Sequence, residues 1–150
     1  MKFKFIWVGK TRDAHWKALQ DEYLQRLSYF VKFDISEVKD AAGPDAVEVE
    51  GNDLLARLNP STFVTLLDVK GRHLSSHELA AELEKWQNRG LKEVAFVIGG
   101  AKGVSAKVAQ RADGTLSLSF LTFTHEMARV VLAEQLYRAF TIIKGFPYQK

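Results

Sequence analysis

The last helix predicted from this sequence carries a few polar side chains in an otherwise apolar stretch. It is expected over residues 125–144, and the polar residues that stand out are Arg129, Glu134, Gln135 and Arg138. An arginine can bind phosphate or carbonyl oxygens, and a carboxylate can hold that arginine in place or accept a proton. Glu134 and Arg138 are four residues apart, and this spacing by itself favours an ordinary ion pair along the helix.

Glycine or polar segments follow three apolar, strand-like runs. Residues 68–71, 99–103 and 119–124 each come directly after such a run. In open α/β sheets, ligands bind beyond the carboxyl ends of the strands, and adjacent glycines such as Gly99 and Gly100 allow close approach of backbone to a ligand. The Gly-Gly-x-x-Gly pattern matches neither the dinucleotide-binding fingerprint nor the phosphate-binding P-loop, so a structural turn explains it equally well.

Strand and helix patterns alternate along the chain and position these segments. Lys70-Gly71-Arg72 reads as a turn after the third strand, and Ser75 and Glu78 have the spacing of a capping box. Continuous apolar runs fit parallel strands that are covered on both faces. We therefore predict one α/β domain, with strands over 2–8, 33–38, 63–67, 94–98 and 116–118, helices around 16–30, 46–58, 76–89 and 125–144, and a further helix that starts near Ser105.

The final helix is apolar on almost every side. A helix with this pattern must be buried on most of its surface. The core of a 150-residue chain can cover one side, so we expect a second copy of the chain to cover another. The apolar residues are Met127, Ala128, Val130, Val131, Leu132, Ala133, Leu136, Tyr137, Ala139, Phe140, Ile142 and Ile143.

Composition excludes several classes of protein. The chain has no cysteine, which excludes disulfides, thiolate metal ligands and cysteine nucleophiles. Its first residues form too short an apolar run for a signal peptide, and no run suits a membrane span, so we expect a cytoplasmic protein with no membrane partner. His73 and His77 have i,i+4 spacing but straddle a predicted helix start, so no metal site is expected.

The net charge of +3 is unevenly distributed. The excess of Lys and Arg over Asp and Glu lies entirely within residues 76–150, close to the glycine segment and the final helix. This distribution suits an anionic partner such as RNA. For so small an excess, a solvated basic surface is the simpler explanation.

Three separated motifs give the chain a specific family resemblance. They are FVIGGAKG at 96–103, LSLSFLTFTH at 116–125 and VVLAEQLYRAF at 130–140, and Pro147-Tyr148 follows them. Residues 8–10 and 67–76 fit as well. Over its whole length the chain closely resembles the small SPOUT-class ribosomal RNA large subunit methyltransferase H family.

The resemblance implies a fold, an activity and a cofactor. The fold would be a mostly parallel sheet flanked by helices with a deep trefoil knot near the C-terminus, and two copies would pair through the last helix. The activity would be transfer of a methyl group from S-adenosylmethionine to N3 of a pseudouridine in large-subunit (23S) rRNA of the assembled ribosome. By similarity, the residues that contact the cofactor are Leu67, Gly99, Leu118, Ser119, Phe120, Leu121, Thr122 and Phe123.

The resemblance also assigns residues to the catalytic site, with Glu134, Arg138, Tyr148 and Lys150 shaping it between two subunits. We interpret Arg138 as a ligand for base oxygens or phosphate, Tyr148 as a group that stacks on or hydrogen-bonds to the base, and Lys150 as a backbone contact. The last three residues are expected to leave the helix as a short arm that reaches across the dimer.

One position departs from the family pattern. The family usually has histidine after the tail tyrosine, where this chain has Gln149. Glutamine can orient a base by hydrogen bonding but cannot remove its proton. Gln149 therefore leaves open a ribosome-binding module that has kept the cofactor pocket but lost transfer. A separate alternative is an unrelated α/β enzyme with a nucleotide cofactor, against which the missing dinucleotide fingerprint and the absence of a nucleophile–base pair count.

Overall fold

The computed structural model describes residues 1–148 of the chain. Over those residues, strands and helices alternate as the sequence predicts. The elements are β1 (Lys2–Val8), α1 (Ala14–Ser28), β2 (Lys32–Val38), α2 (Ala46–Ala56), β3 (Phe63–His73), α3 (Ser76–Asn88), β4 (Glu93–Ile98), α4 (Ala106–Arg111), β5 (Gly114–Ser117) and α5 (His125–Lys144). The predicted capping box is present at α3, where Ser75 and Glu78 bond each other's backbone N–H groups.

The five strands form one parallel sheet in the order β2-β1-β4-β3-β5. β4 lies in the middle, and every residue from Val94 to Ile98 is buried. Strands covered on both faces read as unbroken apolar runs, because neither face alternates with solvent. The predicted α/β fold with a parallel sheet flanked by helices is confirmed.

Side chains from successive strand residues enter two separate cores. Phe3, Phe5 and Trp7 of β1 pack with residues of α1, α3 and α5, whereas Ile6 and Val8 pack with residues of α2 and α4. Successive side chains of a strand point to opposite faces of the sheet, so the helices form one layer on each face. Within residues 1–148, no helix combines the length and apolarity needed to cross a bilayer.

α5 is buried largely by its own chain. It begins at the cap Thr124 and ends at Gly145, whose φ of 71° is left-handed, and it packs against both α1 and α3. The apolar residues around α5 are therefore covered by two helices and the sheet. The chain's own core thus buries more of the helix than the one side that we expected from the chain length. A partly exposed side remains, and the pairing with a second copy and the trefoil knot both stay predictions.

β3 departs from the prediction after Leu67. The expected turn at residues 70–72 is wrong, because β3 continues to His73 and both Leu67 and Arg72 pair with Leu116 of β5. Residues 68–71 thus bulge from the ladder. A Cβ on Gly71 would lie 2.9 Å from the backbone N of Leu116, so only glycine allows the bulge to pack this closely.

We predict that Gly71→Ala destabilises the protein by about 1–3 kcal/mol, because the added methyl group meets backbone atoms that cannot rotate away. Gly114→Ala is the matched control, since its Cβ would make only an ordinary contact with Phe63, at 3.9 Å. Urea denaturation measures the free energy of unfolding of both variants. Equal midpoints for the two variants would contradict the packing argument.

Candidate functional site

A cavity of about 310 Å³ lies beyond the carboxyl ends of the sheet strands. It is enclosed by the start of the β3 bulge, the glycine segment 99–104 after β4, the loop after β5 and the first turn of α5. Most of its lining is apolar, and the glycines of the segment after β4 contribute backbone groups to it. This is the position at which α/β sheets bind ligands.

The glycine segment packs tightly on itself behind the cavity. A Cβ on Gly99 would lie 2.6 Å from Cγ1 of Val104 and 3.0 Å from the carbonyl oxygen of Gly103. Gly103 has a φ of 83°, and its N–H donates to the carbonyl of Gly100 at 3.0 Å. A side chain at Gly99 would push the segment out of place, and one at Gly103 would strain the backbone, so packing requires glycine at the first position and conformation favours it at the second.

The loop after β5 is held by its own serines. The Ser117 hydroxyl donates to the carbonyl of Ser119 at 3.0 Å, and the Ser119 hydroxyl accepts from the N–H of Leu121 at 3.0 Å. The Thr124 hydroxyl then accepts from the N–H of Met127 and starts α5. These bonds fix the loop, which lines the cavity, between the sheet edge and the helix.

The structure brings together all but one of the residues predicted to contact a cofactor. Phe120 is the exception: its side chain is 80% exposed and stacks on His73 outside the cavity, which leaves only its backbone to contact a bound molecule. The residues that do line the cavity are Leu67, Gly99, Leu118, Ser119, Leu121, Thr122 and Phe123.

Asp68, Val69 and Gly100 also line the cavity, and they belong to the strand-end segments 68–71 and 99–103 that the sequence analysis singled out. Two lining residues that it did not assign to the site are His125 and Ala128. His125 and Ala128 belong to the first turn of α5. Their place at the cavity depends on how the helix crosses the sheet, which no local pattern encodes.

A polar cluster lies farther along α5. Oε1 of Glu134 accepts hydrogen bonds from Nε of Arg138 at 3.0 Å and from the Tyr148 hydroxyl at 3.1 Å. Oε2 accepts from Gln135 at 2.8 Å, and the Arg138 guanidinium lies 4.9 Å from the centre of the Tyr148 ring. Tyr148 therefore packs on its own α5 and does not extend away as the expected arm. Gln149 and Lys150 lie outside the described residues.

Electrostatics define the protonation states in this cluster. Burial raises the pKa of Tyr148, and its hydrogen bond to Glu134 raises it further, so the phenol is a neutral donor at physiological pH. The hydrogen bond to Glu134 also raises the pKa of Arg138, which stays cationic. The cluster can bind and orient an electron-rich base or a phosphate, while Tyr148 is unsuited to remove a proton.

The cavity and the polar cluster are separated within one chain. The cavity meets α5 at His125 and Ala128, while Glu134 and Arg138 come six and ten residues after Ala128. With the rise of an α-helix, these intervals correspond to about 9 and 15 Å along its axis. One chain therefore does not bring the cluster to its own cavity by way of this helix.

Arg129, the remaining polar residue of interest on α5, is a structural anchor. It is 2% exposed and donates to the carbonyl of Val8 at 2.7 Å and to the Thr11 hydroxyl at 2.9 Å. Its guanidinium lies 4.7 Å from the centre of the Trp7 ring, and burial lowers its pKa. These contacts tie the first half of α5 to the end of β1.

Comparison with known proteins gives a family match over nearly the whole chain. A family model described as "Predicted SPOUT methyltransferase" matches residues 1–149. Among solved structures, a probable methylase family protein from Haemophilus influenzae Rd KW20 has a TM-score of 0.58 at 9% identity, over 99% of this chain and 70% of that one. A probable methyltransferase from Bordetella pertussis Tohama I has a TM-score of 0.57 at 15% identity, over 92% and 95%. At such identities these two structures show a shared fold.

Among the described residues, no group of three or more His, Asp or Glu side chains is placed to hold a metal ion.

We expect Tyr148→Phe to lower the free energy of unfolding by about 0.5–1.5 kcal/mol, because Glu134 loses a hydrogen-bond donor. Tyr29→Phe is the control, since Tyr29 is 79% exposed. The pKa of Tyr148 is raised on folding, so this contribution is complete below the ordinary tyrosine value of 10.0 and is lost as the pH rises toward the folded value. Urea denaturation at neutral and alkaline pH tests both statements; two variants of equal stability at neutral pH would contradict the first.

Proposed function

Since this chain belongs to the SPOUT methyltransferase family, we propose that it transfers a methyl group from S-adenosylmethionine to N3 of a pseudouridine in large-subunit rRNA of the assembled ribosome. The observation that carries the proposal is the cavity, where the motifs at 96–103 and 116–125 meet the segment that begins at Leu67, beyond the strand ends. The motif of α5 adds the polar cluster, whose side chains suit recognition of a pyrimidine base.

The residues around the cavity fit the proposed cofactor. Its volume of about 310 Å³ lies near the lower end of small-molecule sites, which span about 300–1,000 Å³. Apolar side chains such as Leu67 and Leu118 offer surface for an adenine ring, and backbone groups of Gly99, Gly100 and the loop after β5 offer hydrogen bonds. The Cβ that Gly99 lacks would displace the glycine segment that forms one wall.

The chemistry requires placement more than reactive side chains. When bound, the cofactor supplies a methyl carbon attached to a sulfonium sulfur. A nitrogen lone pair can attack this carbon in one step, in which the N–C bond forms while the C–S bond breaks and the sulfur leaves as a neutral thioether. Arg138 would hold the base oxygens or a phosphate, and Tyr148 would stack on the base or donate to it. Glu134 holds both of these side chains in position, which makes it a positioning residue. The proton on N3 must leave the base, and the raised pKa of Tyr148 assigns that step to another group.

The separation of cavity and cluster supports a homodimer with composite sites. Met127, Val131, Glu134 and Arg138 recur every three or four residues, so they share one side of α5, and each is partly exposed. If two α5 helices pack through this side, the cluster of one chain can serve the cavity of the other. The same arrangement covers the exposed apolar surface of the helix.

Gln149 favours the second candidate function. Without the usual histidine, the chain could be a ribosome-binding module that retains the cofactor pocket but no longer transfers a methyl group. Such a module would bind both S-adenosylmethionine and ribosomes and would leave the rRNA unmodified.

Replacement of Gly99 tests the cofactor site. We predict that Gly99→Ala lowers the affinity for S-adenosylmethionine at least about tenfold, because the new Cβ displaces the segment from Gly103 to Val104. Gly114→Ala should bind as tightly as the unaltered protein. Isothermal titration calorimetry gives the affinities, and circular dichroism confirms folding. Unchanged affinity in a folded Gly99→Ala protein would refute this site.

Mixed dimers test whether the sites are composite. Gly99→Val removes the cofactor site and Arg138→Ala removes the base contact, so each variant alone should be inactive on ribosomes. A mixed dimer, purified through two different affinity tags, would contain one intact composite site and should recover roughly half of the normal activity. If cavity and cluster served each other within one chain, the mixed dimer would be inactive.

Light scattering of the unaltered protein should give about twice the chain mass of 16.9 kDa, and a clean monomer would contradict the dimer.

A further inference from the structure

Phe120 and His73 form an exposed aromatic stack. The two ring centres are 3.7 Å apart with an angle of 28° between the planes, and the Phe120 side chain is 80% exposed. His73 covers one face of the phenyl ring, so the ring retains a large surface in contact with water. Leu121, the next residue, is 73% exposed and extends this surface toward the cavity.

The stack lies at the rim of the cavity on fixed backbone. Ser119 and Leu121, on either side of Phe120, both line the cavity and are joined by the Ser119 hydroxyl. His73 is paired with Ser117 in the ladder between β3 and β5. Both rings are therefore carried by backbone that is already hydrogen-bonded, so little order would have to be gained on binding.

Cationic residues occur in the segments next to the stack. Lys70 precedes His73 on β3, and Lys102 belongs to the glycine segment; both are exposed. Arg72 also precedes His73, but its side chain is directed to Glu82 of α3, 3.5 Å away. An exposed aromatic surface with cations beside it is the arrangement by which proteins hold single-stranded nucleic acid, because bases stack on the ring while Lys and Arg contact the phosphates.

We propose that Phe120, supported by His73, is a stacking platform for an unpaired base of the RNA substrate that neighbours the nucleotide entering the cavity. This inference rests on the proposed function, since it names how the same site holds its RNA. The exposed cations of the neighbouring segments, Lys70 and Lys102, favour RNA over an apolar protein surface, which would gain nothing from them. The platform positions RNA and makes no contact with the transferred methyl group.

Variants of Phe120 separate RNA binding from the other roles of the loop. Phe120→Ala should raise the KM for ribosomes roughly tenfold to hundredfold, because a base loses its stacking partner. The affinity for S-adenosylmethionine, kcat and the dimer mass should stay unchanged. Phe120→Trp should retain the normal KM, since indole also stacks. Tyr29→Ala is the control: Tyr29 is comparably exposed, at 79%, and lies beside Phe30 after α1.

Equilibrium binding makes the test independent of catalysis. Filter binding of ribosomes and of a short oligouridine should weaken in Phe120→Ala and in Phe120→Ala/His73→Ala, and should be normal in Phe120→Trp. If the unaltered protein never methylates ribosomes but Phe120→Ala weakens RNA binding, the platform stands and the proposed function fails. Normal RNA binding by Phe120→Ala overturns the platform. Loss of cofactor affinity or of the dimer, with normal RNA binding, also overturns it and assigns Phe120 to the pocket or to the partner copy.

Discussion

Close backbone packing beyond the carboxyl ends of β3, β4 and β5 is the constraint on which the cavity depends. At Gly71 and Gly99 the neighbouring atoms leave no room for a Cβ, and most of these neighbours are themselves backbone. The bulge of β3 can then lie against β5, and the glycine segment can fold behind the cavity. The walls consequently combine apolar side chains with glycine backbone in fixed positions, which suits a ligand that is recognised through hydrogen bonds and apolar contacts.

α5 contributes both to this cavity and to the polar cluster. Its first turn closes the cavity, Arg129 anchors it to the end of β1, and Glu134 organises Arg138 and Tyr148 on its exposed side. Along α5, Glu134 and Arg138 come about 9 and 15 Å after Ala128, where the helix meets the cavity. The proposed pairing of two copies would bring the cluster of one chain to the cavity of the other, so the dimer matters for catalysis as well as for the burial of α5.

Local patterns predicted most of this fold because its elements satisfy local rules. The unbroken apolar run of β4 indicated a central parallel strand, and the Ser75 and Glu78 spacing marked the start of α3. The predicted turn at residues 70–72 is wrong because β3 resumes pairing with β5 after a bulge, and that pairing depends on a strand far along the chain. The segments that line the cavity could be predicted because they directly follow apolar strands, and the carboxyl ends of parallel strands lie at the same edge of the sheet.

The directions in which side chains of the site point could not be predicted from the sequence. Phe120 sits in a motif that lines the cavity, yet its ring turns outward onto His73, a contact between distant parts of the chain. Tyr148 follows a Gly-Phe-Pro break that suggested an extended arm, yet Glu134 and Arg138 of the preceding helix capture its hydroxyl and ring. Both outcomes depend on tertiary contacts that leave no periodic pattern in the sequence.

The most direct test of the account is to map methylation on ribosomes from cells that lack this protein. Ribosomes are incubated with the purified protein and isotope-labelled S-adenosylmethionine, and the rRNA is digested and analysed by mass spectrometry. We predict one labelled methyl group, on N3 of a pseudouridine of the large-subunit rRNA. Labelling at another atom or in another RNA would contradict the proposed substrate, and cofactor binding without any labelling would show a binding module in place of an enzyme.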